Sequence, residues 1–187
     1  MSEERTRLVI RDAAEMSDAE RAACKALWGR VWPPDLNETH EDDPERVESM
    51  VRYTMLLAHD GSLLGVCVLE GREITVNGAP HRIAALGGVA VDEAHRQRGY
   101  GSRVIEGWRE DARARSYGFG VLWTGEQRVG FYERLGWVLL KGDLRYRWLR
   151  EERRIDGPIL VAAFTPDAAQ QLPAWRSGRL HLGVDGW

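Results

Sequence analysis

Apolar residues recur along this chain first in short β-branched or alternating runs and then at helical spacing. The switches between the two periods predict its elements. Leu8, Val9 and Ile10 form a short apolar run and predict a strand. Ser17-Asp18-Ala19-Glu20 follows as a capping box, with Ser17 at the N-cap and Glu20 three residues into the helix. Ala19, Ala22, Ala23, Ala26, Leu27 and Val31 then recur at helical spacing until Pro33-Pro34 stops the pattern, so this helix is expected to end near residue 31. Residues 35–48 carry seven acidic side chains with Arg46 as the only Lys or Arg, which reads as an acidic loop leading into a short helix. Residues 55–58 and 63–69 flank Asp60-Gly61 and predict a hairpin. Residues 72–76 meet Asn77-Gly78 and continue in 83–91, a second antiparallel pair, so three to four strands are expected to form a meander.

After Gly99 the period changes. Val104, Ile105, Trp108 and Ala112 share one face of a helix running towards Gly118, which is expected to serve as its C′ glycine. Residues 119–123 then read as a strand, and Val129, Tyr132 and Leu135 mark a short helix closed by Gly136. Residues 137–140, 144–149 and 159–164 look like closing strands, whose pairing the pattern leaves open.

Composition narrows the class. At 187 residues one domain spanning 1–187 is expected, and 43% apolar with 29% charged residues is a globular balance. A formal charge of −3 argues against a phosphate-backbone partner, so no nucleic acid is expected. Cys24 and Cys67 form no CxxC pair and join no His/Cys cluster at zinc spacing; both read as buried small hydrophobes, and no metal is expected. The first residues are charged, no apolar h-region follows, and no 18 apolar residues run together. A cytoplasmic protein without a membrane partner is the expectation. Eight tryptophans are consistent with core packing, an interface or a ligand groove, and composition does not choose among them.

The chemistry concentrates where Val89-Ala90-Val91 runs through Asp92-Glu93-Ala94-His95 into Arg96-Gln97-Arg98-Gly99-Tyr100-Gly101-Ser102, at the start of a helix. Glycines at 99 and 101 let backbone amides approach a ligand, and the helix end adds its positive dipole, a setting suited to a pyrophosphate. Arg96 and Arg98 would add charge-assisted hydrogen bonds. Neither GxxxxGK[ST] nor GxGxxG is present, which sets aside the P-loop and the dinucleotide fold. Upstream, Gly87-Gly88 inside a strand pattern suggests a bulge or a close backbone approach.

Arg96-Gln97-Arg98-Gly99-Tyr100-Gly101 resembles the [R/Q]-x-x-G-x-[G/A] signature of the GCN5-related N-acetyltransferase (GNAT) superfamily, and Gly130-Phe131-Tyr132-Glu133-Arg134-Leu135-Gly136-Trp137 is similar to that family's tyrosine-bearing helix. The resemblance implies an α/β fold: a mixed, mostly antiparallel central sheet, helices on both faces, and acetyl-CoA held where two parallel strands splay. It implies that Arg96, Gln97, Arg98, Gly99, Tyr100, Gly101 and Ser102 bind the pyrophosphate. Val89, Ala90 and Val91 would bind pantetheine, the Val89 amide would polarise the thioester carbonyl, and Tyr132 would protonate the departing thiolate. The base is left open among Glu70, His59 and a water relay. A homodimer is a further expectation from the family.

Asp156-Gly157, Ala174-Trp175-Arg176-Ser177-Gly178 and Asp185-Gly186-Trp187 look like the aminoglycoside 2′-N-acetyltransferase branch of that family, a resistance enzyme class. That likeness implies that Asp156, Asp185 and the α-carboxylate of Trp187 hold the ammonium groups of a cationic small molecule, with Asp35 as a further acidic contact. Several carboxylates facing one cleft suit a polycation. Two departures stand out. Gly87 occupies the place of an acceptor-contacting glutamate of the branch, and residues 179–184 read as an insertion. Another amine acceptor, or a non-catalytic acyl-CoA-binding module, are the alternative readings.

Overall fold

The computed structural model describes residues 6–32, 51–148 and 151–184. Strand β1 (Arg7–Asp12) leads to α1 (Asp18–Val31), and the hairpin partners β2 (Val51–Leu57), β3 (Leu63–Val76) and β4 (Ala79–Val91) follow. Next come α2 (Tyr100–Ala114), β5 (Phe119–Trp123), α3 (Val129–Arg134), β6 (Val138–Leu139), β7 (Asp143–Trp148), β8 (Glu151–Arg154), β9 (Ile159–Ala163), α4 (Pro166–Ser177) and β10 (Arg179–Val184). All strands join one mixed sheet ordered β6-β9-β5-β4-β3-β10-β7-β8, with β2 and then β1 added on β3. β4 and β5 are parallel, as are β7 and β10; the other pairs are antiparallel. The expected α/β fold is present.

Local chemistry explains most of the elements. Ser17 and Glu20 form the capping box reciprocally, the Glu20 amide donating to Ser17 Oγ and the Ser17 amide to the Glu20 carboxylate. Asn77 and Gly78 both sit at positive φ, 51° and 85°, as a two-residue type I′ turn requires, and pair Val76 with Ala79. The two strands expected at 63–69 and 72–76 are one: β3 runs unbroken, lending its first part to β2 and its last residues to β10.

Two expectations need correction, and a third segment gains a structure. In α1 the alanines 19, 22, 23 and 26 face solvent, while Cys24, Leu27, Trp28 and Val31 pack on the sheet; the larger side chains won because they bury more apolar area. Helix α2 stops before Gly118. Ser116 takes the left-handed position at φ 61°, its amide bonding to Arg113 and that of Tyr117 to Ala112, a complete Schellman motif without glycine. Residues 179–184, read as an insertion, form strand β10, bonded on both edges.

The sheet divides the core into layers. α2 and α3 cover one face with Cys67, Leu69, Leu86, Leu122, Trp108 and Trp137. On the other face α1 covers Val9, Met55, Val66 and Ala90, and α4 buries Trp175 against Phe119 at 3.9 Å between ring centroids. Both cysteines are buried, as expected. No helix among the described residues is long and apolar enough to cross a membrane.

Candidate active site

β4 and β5 pair at only three positions, Ala84 with Gly120, Ala85 with Val121 and Leu86 with Leu122, and then separate. Beyond that point β4 is paired on its β3 edge alone among the described residues. The separation coincides with a β-bulge. Val68 pairs with Gly87 and Val66 with Ala90, so Gly88 and Val89 together oppose Cys67. Gly88 lies at φ +58°, and a Cβ built on it would stand 3.0 Å from Trp28 Cζ2, so glycine answers both the backbone and the space. Trp28 Nε1 donates to the Gly88 carbonyl at 2.8 Å. A Cβ on Gly87 would meet nothing within 4 Å, which leaves open volume above the sheet on the α1 side. The bulge read from Gly87-Gly88 is where it was expected.

From Val91 the chain turns through Asp92, whose carboxylate accepts from the Ala94 amide at 3.1 Å and from Arg30 of α1 at 2.9 Å. Partial burial opposes ionisation of Asp92, yet Arg30, the Ala94 amide and His95 hold its carboxyl below the usual range. Gln97 at φ 64° and Gly99 at φ 78° then swing the backbone into α2. The first bond of that helix runs from the Arg103 amide to Gly99, so the amides of Gly101 and Ser102 point out of the helix end. No acidic side chain stands in its first turn. Exposed Arg96 and Arg98 flank it, Arg96 lying 3.6 Å from Glu93. These groups form a positively polarised end suited to a polyanion. Gly101 brings α3 close: a Cβ there would stand 3.5 Å from Phe131.

Tyr132 sits on α3 with only 6% of its surface exposed, its ring edge-on to Phe131 and Trp137. The amides of Gly136 and Trp137 close α3 onto Glu133 and Tyr132 in a second Schellman motif, with Gly136 at φ 81° as expected. Burial, followed by the facing Cys67 thiol, pushes the Tyr132 hydroxyl up to about 12. It is therefore protonated at neutral pH and able to donate.

The base candidates part company. Glu70 is buried on the α1 face, paired with Arg72 at 2.9 Å, and lies two residues along β3 from the partner of Gly87, roughly 7 Å away by strand rise. His59 stays exposed in the β2–β3 turn, and the structure does not bring it to Gly87. Asp156 is exposed in the turn before β9, where it lines a cavity of about 490 Å³ with Arg154 and Ile155. That turn lies over Trp123, the residue just past the last β4–β5 pair: the Thr124 amide donates to Pro158, and a Cβ on Gly157 would stand 2.6 Å from the indole nitrogen. The turn that carries Asp156 thus packs against the end of β5. Asp35, Asp185 and Trp187 lie outside the described residues, as does the acidic run. Trp28 was missed by the sequence reading, although Cys24, Leu27, Trp28 and Val31 carry the i, i+3, i+4, i+7 spacing that would have found it.

The fold defined by this splayed pair is that of the acyl-CoA N-acyltransferases. The GNAT family N-acetyltransferase YhbS of Escherichia coli, solved in complex with CoA, superposes with a TM-score of 0.64 at 18% identity, over 97% of this chain and 93% of that one. An acyl-CoA N-acyltransferase of Pseudomonas aeruginosa gives 0.60 at 18% identity over 85% and 100%, and ElaA of Escherichia coli gives 0.60 at 17% over 84% and 97%. Residues 12–140 match the family model of the acetyltransferase (GNAT) domain, and the chain belongs to that family. It is an N-acetyltransferase whose cosubstrate is acetyl-CoA. No curated protein matches it.

The finer likeness to the aminoglycoside branch finds no support in these matches. The family match ends at residue 140, before the C-terminal stretch that suggested it. Within that stretch, Trp175 is core, 1% exposed, and Arg179–Val184 is part of the sheet.

Proposed function

We propose that the protein moves the acetyl group of acetyl-CoA to a primary amine of a cationic small molecule. The observation that carries this reading is the opening of β4 from β5 at a bulge, between the N-terminal end of α2 and Tyr132. Residues 96–102 hold the diphosphate, chiefly through the Gly101 and Ser102 amides. Val89, Ala90 and Val91 offer pantetheine the strand edge that β5 has left. The Val89 amide donates to the thioester oxygen as it gains charge. As the amine nitrogen bonds to the acetyl carbon the C–S bond breaks, and Tyr132 gives its proton to the sulfur. The proton left on the acylated nitrogen leaves through water in the open volume over Gly87, where Glu70 is a buried carboxylate of the same face, and solvent returns a proton to the Tyr132 phenolate.

Asp156, at the cavity before β9, is the acceptor's anionic contact, and Asp35, Asp185 and Trp187 extend that set by resemblance. Aminoglycosides are the first acceptors to test on the strength of the C-terminal likeness. Thiol release from acetyl-CoA should be measured with tobramycin, kanamycin, gentamicin, spermidine and a basic peptide. Release is expected with at least one. Silence with the three drugs alone moves the acceptor to another amine class; silence with all five, joined to no saturable heat on titrating CoA, overturns the reading.

A further inference from the structure

The peptide unit joining Gly88 to Val89 carries two groups that matter: the Gly88 carbonyl and the Val89 amide. In a trans peptide they point in opposite directions, and no cis peptide is present among the described residues. The carbonyl is taken by the indole N–H of Trp28 at 2.8 Å. Trp28 projects from α1 onto one face of the sheet, so the Val89 amide is turned away from α1, towards the side where α2 and Tyr132 lie. Left to itself this unit is poorly determined. It follows two consecutive glycines, which visit positive and negative φ with similar ease, and a flip of the plane would carry the amide away from the cleft.

We propose that Trp28 is a positioning residue for acyl transfer, holding the 88–89 peptide plane so that the Val89 amide faces the thioester oxygen. The inference rests on the role given to Val89 under Proposed function. A bond accepted by the carbonyl also polarises the same peptide unit and makes its N–H a stronger donor. Trp28 is itself held: its ring lies 6.0 Å from that of Tyr53, and the space around Gly88 is closed on another side by Val68. α1 grips the segment a second time through Arg30 and Asp92, so both ends of residues 88–92 are anchored to one helix.

Trp28→Phe keeps an aromatic ring in the site and deletes the donor. Trp28→benzothienylalanine, an isostere with sulfur in place of the indole N–H, does the same with the full ring size and serves if Trp28→Phe does not fold. Two readouts are taken on the full chain: the infrared carbonyl stretch of bound acetyl-CoA labelled with ¹³C at the acetyl carbonyl, and kcat against KM with an accepted amine. In the parent protein the stretch should fall relative to free acetyl-CoA. In the variant it should return towards the free value, with kcat down about 10- to 100-fold and KM for acetyl-CoA within about twofold. A stretch lowered in the parent and equally lowered in the variant, with kcat retained, overturns the role of Trp28 and leaves that of Val89 standing. A parent stretch equal to that of free acetyl-CoA overturns the Val89 reading and this inference with it.

Discussion

Tyr132 shows how a residue's surroundings choose its chemistry. Burial among Phe131, Trp137 and Cys67 disfavours the phenolate, so the side chain keeps its proton and suits the donor role proposed for it. Tyr132→Phe should lower kcat by about 10²- to 10³-fold while the calorimetric affinity for CoA stays unchanged, because the ring and its packing remain. This residue was legible in the sequence because its motif is local: Tyr132, Gly136 and Trp137 make their defining contacts within one helical turn and its cap. Trp28 was not, because its partner lies 60 positions away and no short pattern links a helical indole to a strand carbonyl. Asp156 was named from resemblance alone, and the structure adds only that its turn packs against Trp123 at the end of β5.

At the scale of elements, close approach between α2 and the sheet depends on small residues. At Gly120 of β5, an added Cβ would stand 2.5 Å from Phe164, 2.8 Å from Trp108 and 3.1 Å from Trp137. Gly120→Ala should therefore cost about 1–3 kcal/mol by overpacking, read from the midpoint and slope of urea unfolding. Elements announced by their own ends were legible: the Ser17 and Glu20 box, the Asn77-Gly78 turn, the Gly136 cap. Those set by tertiary packing were not. The buried face of α1 was misread because alanines fit either side of a helix, and α4 was overlooked although Thr165 caps it and Pro166 opens it. β10 was overlooked because Leu180 and Leu182 alternate too briefly to separate a strand from a loop.

For the whole molecule, stability should form a plateau bounded by two sets of groups. On the acid side, the hydrogen bond from Arg52 to Asp12, together with the donors around Asp92, holds these carboxyls below their ordinary 3.8. Groups lowered on folding stabilise above the unfolded value, and that contribution is lost as pH falls through the lower folded one. On the alkaline side burial pushes Cys24 from 9.0 to about 11 and Tyr132 from 10.0 to about 12. Groups raised on folding stabilise below the unfolded value and lose that contribution as pH rises through the folded one. Urea midpoints measured across pH should thus be level from about 5 to 8, falling below about 4 and above about 9.

The place of β10 has a consequence for assembly. Among the described residues the β7–β8 hairpin joins the remainder of the ladder through β10 alone, and β10 reaches β3 by joining Leu180 to Val76. A keystone of this sort arrives across more than a hundred residues of intervening chain, a loop whose closure is slow. Until it is seated, the outer hairpin and the lower edge of β3 wait as two open templates, so the order in which the arch is closed decides how long the nascent molecule is exposed to wrong partners.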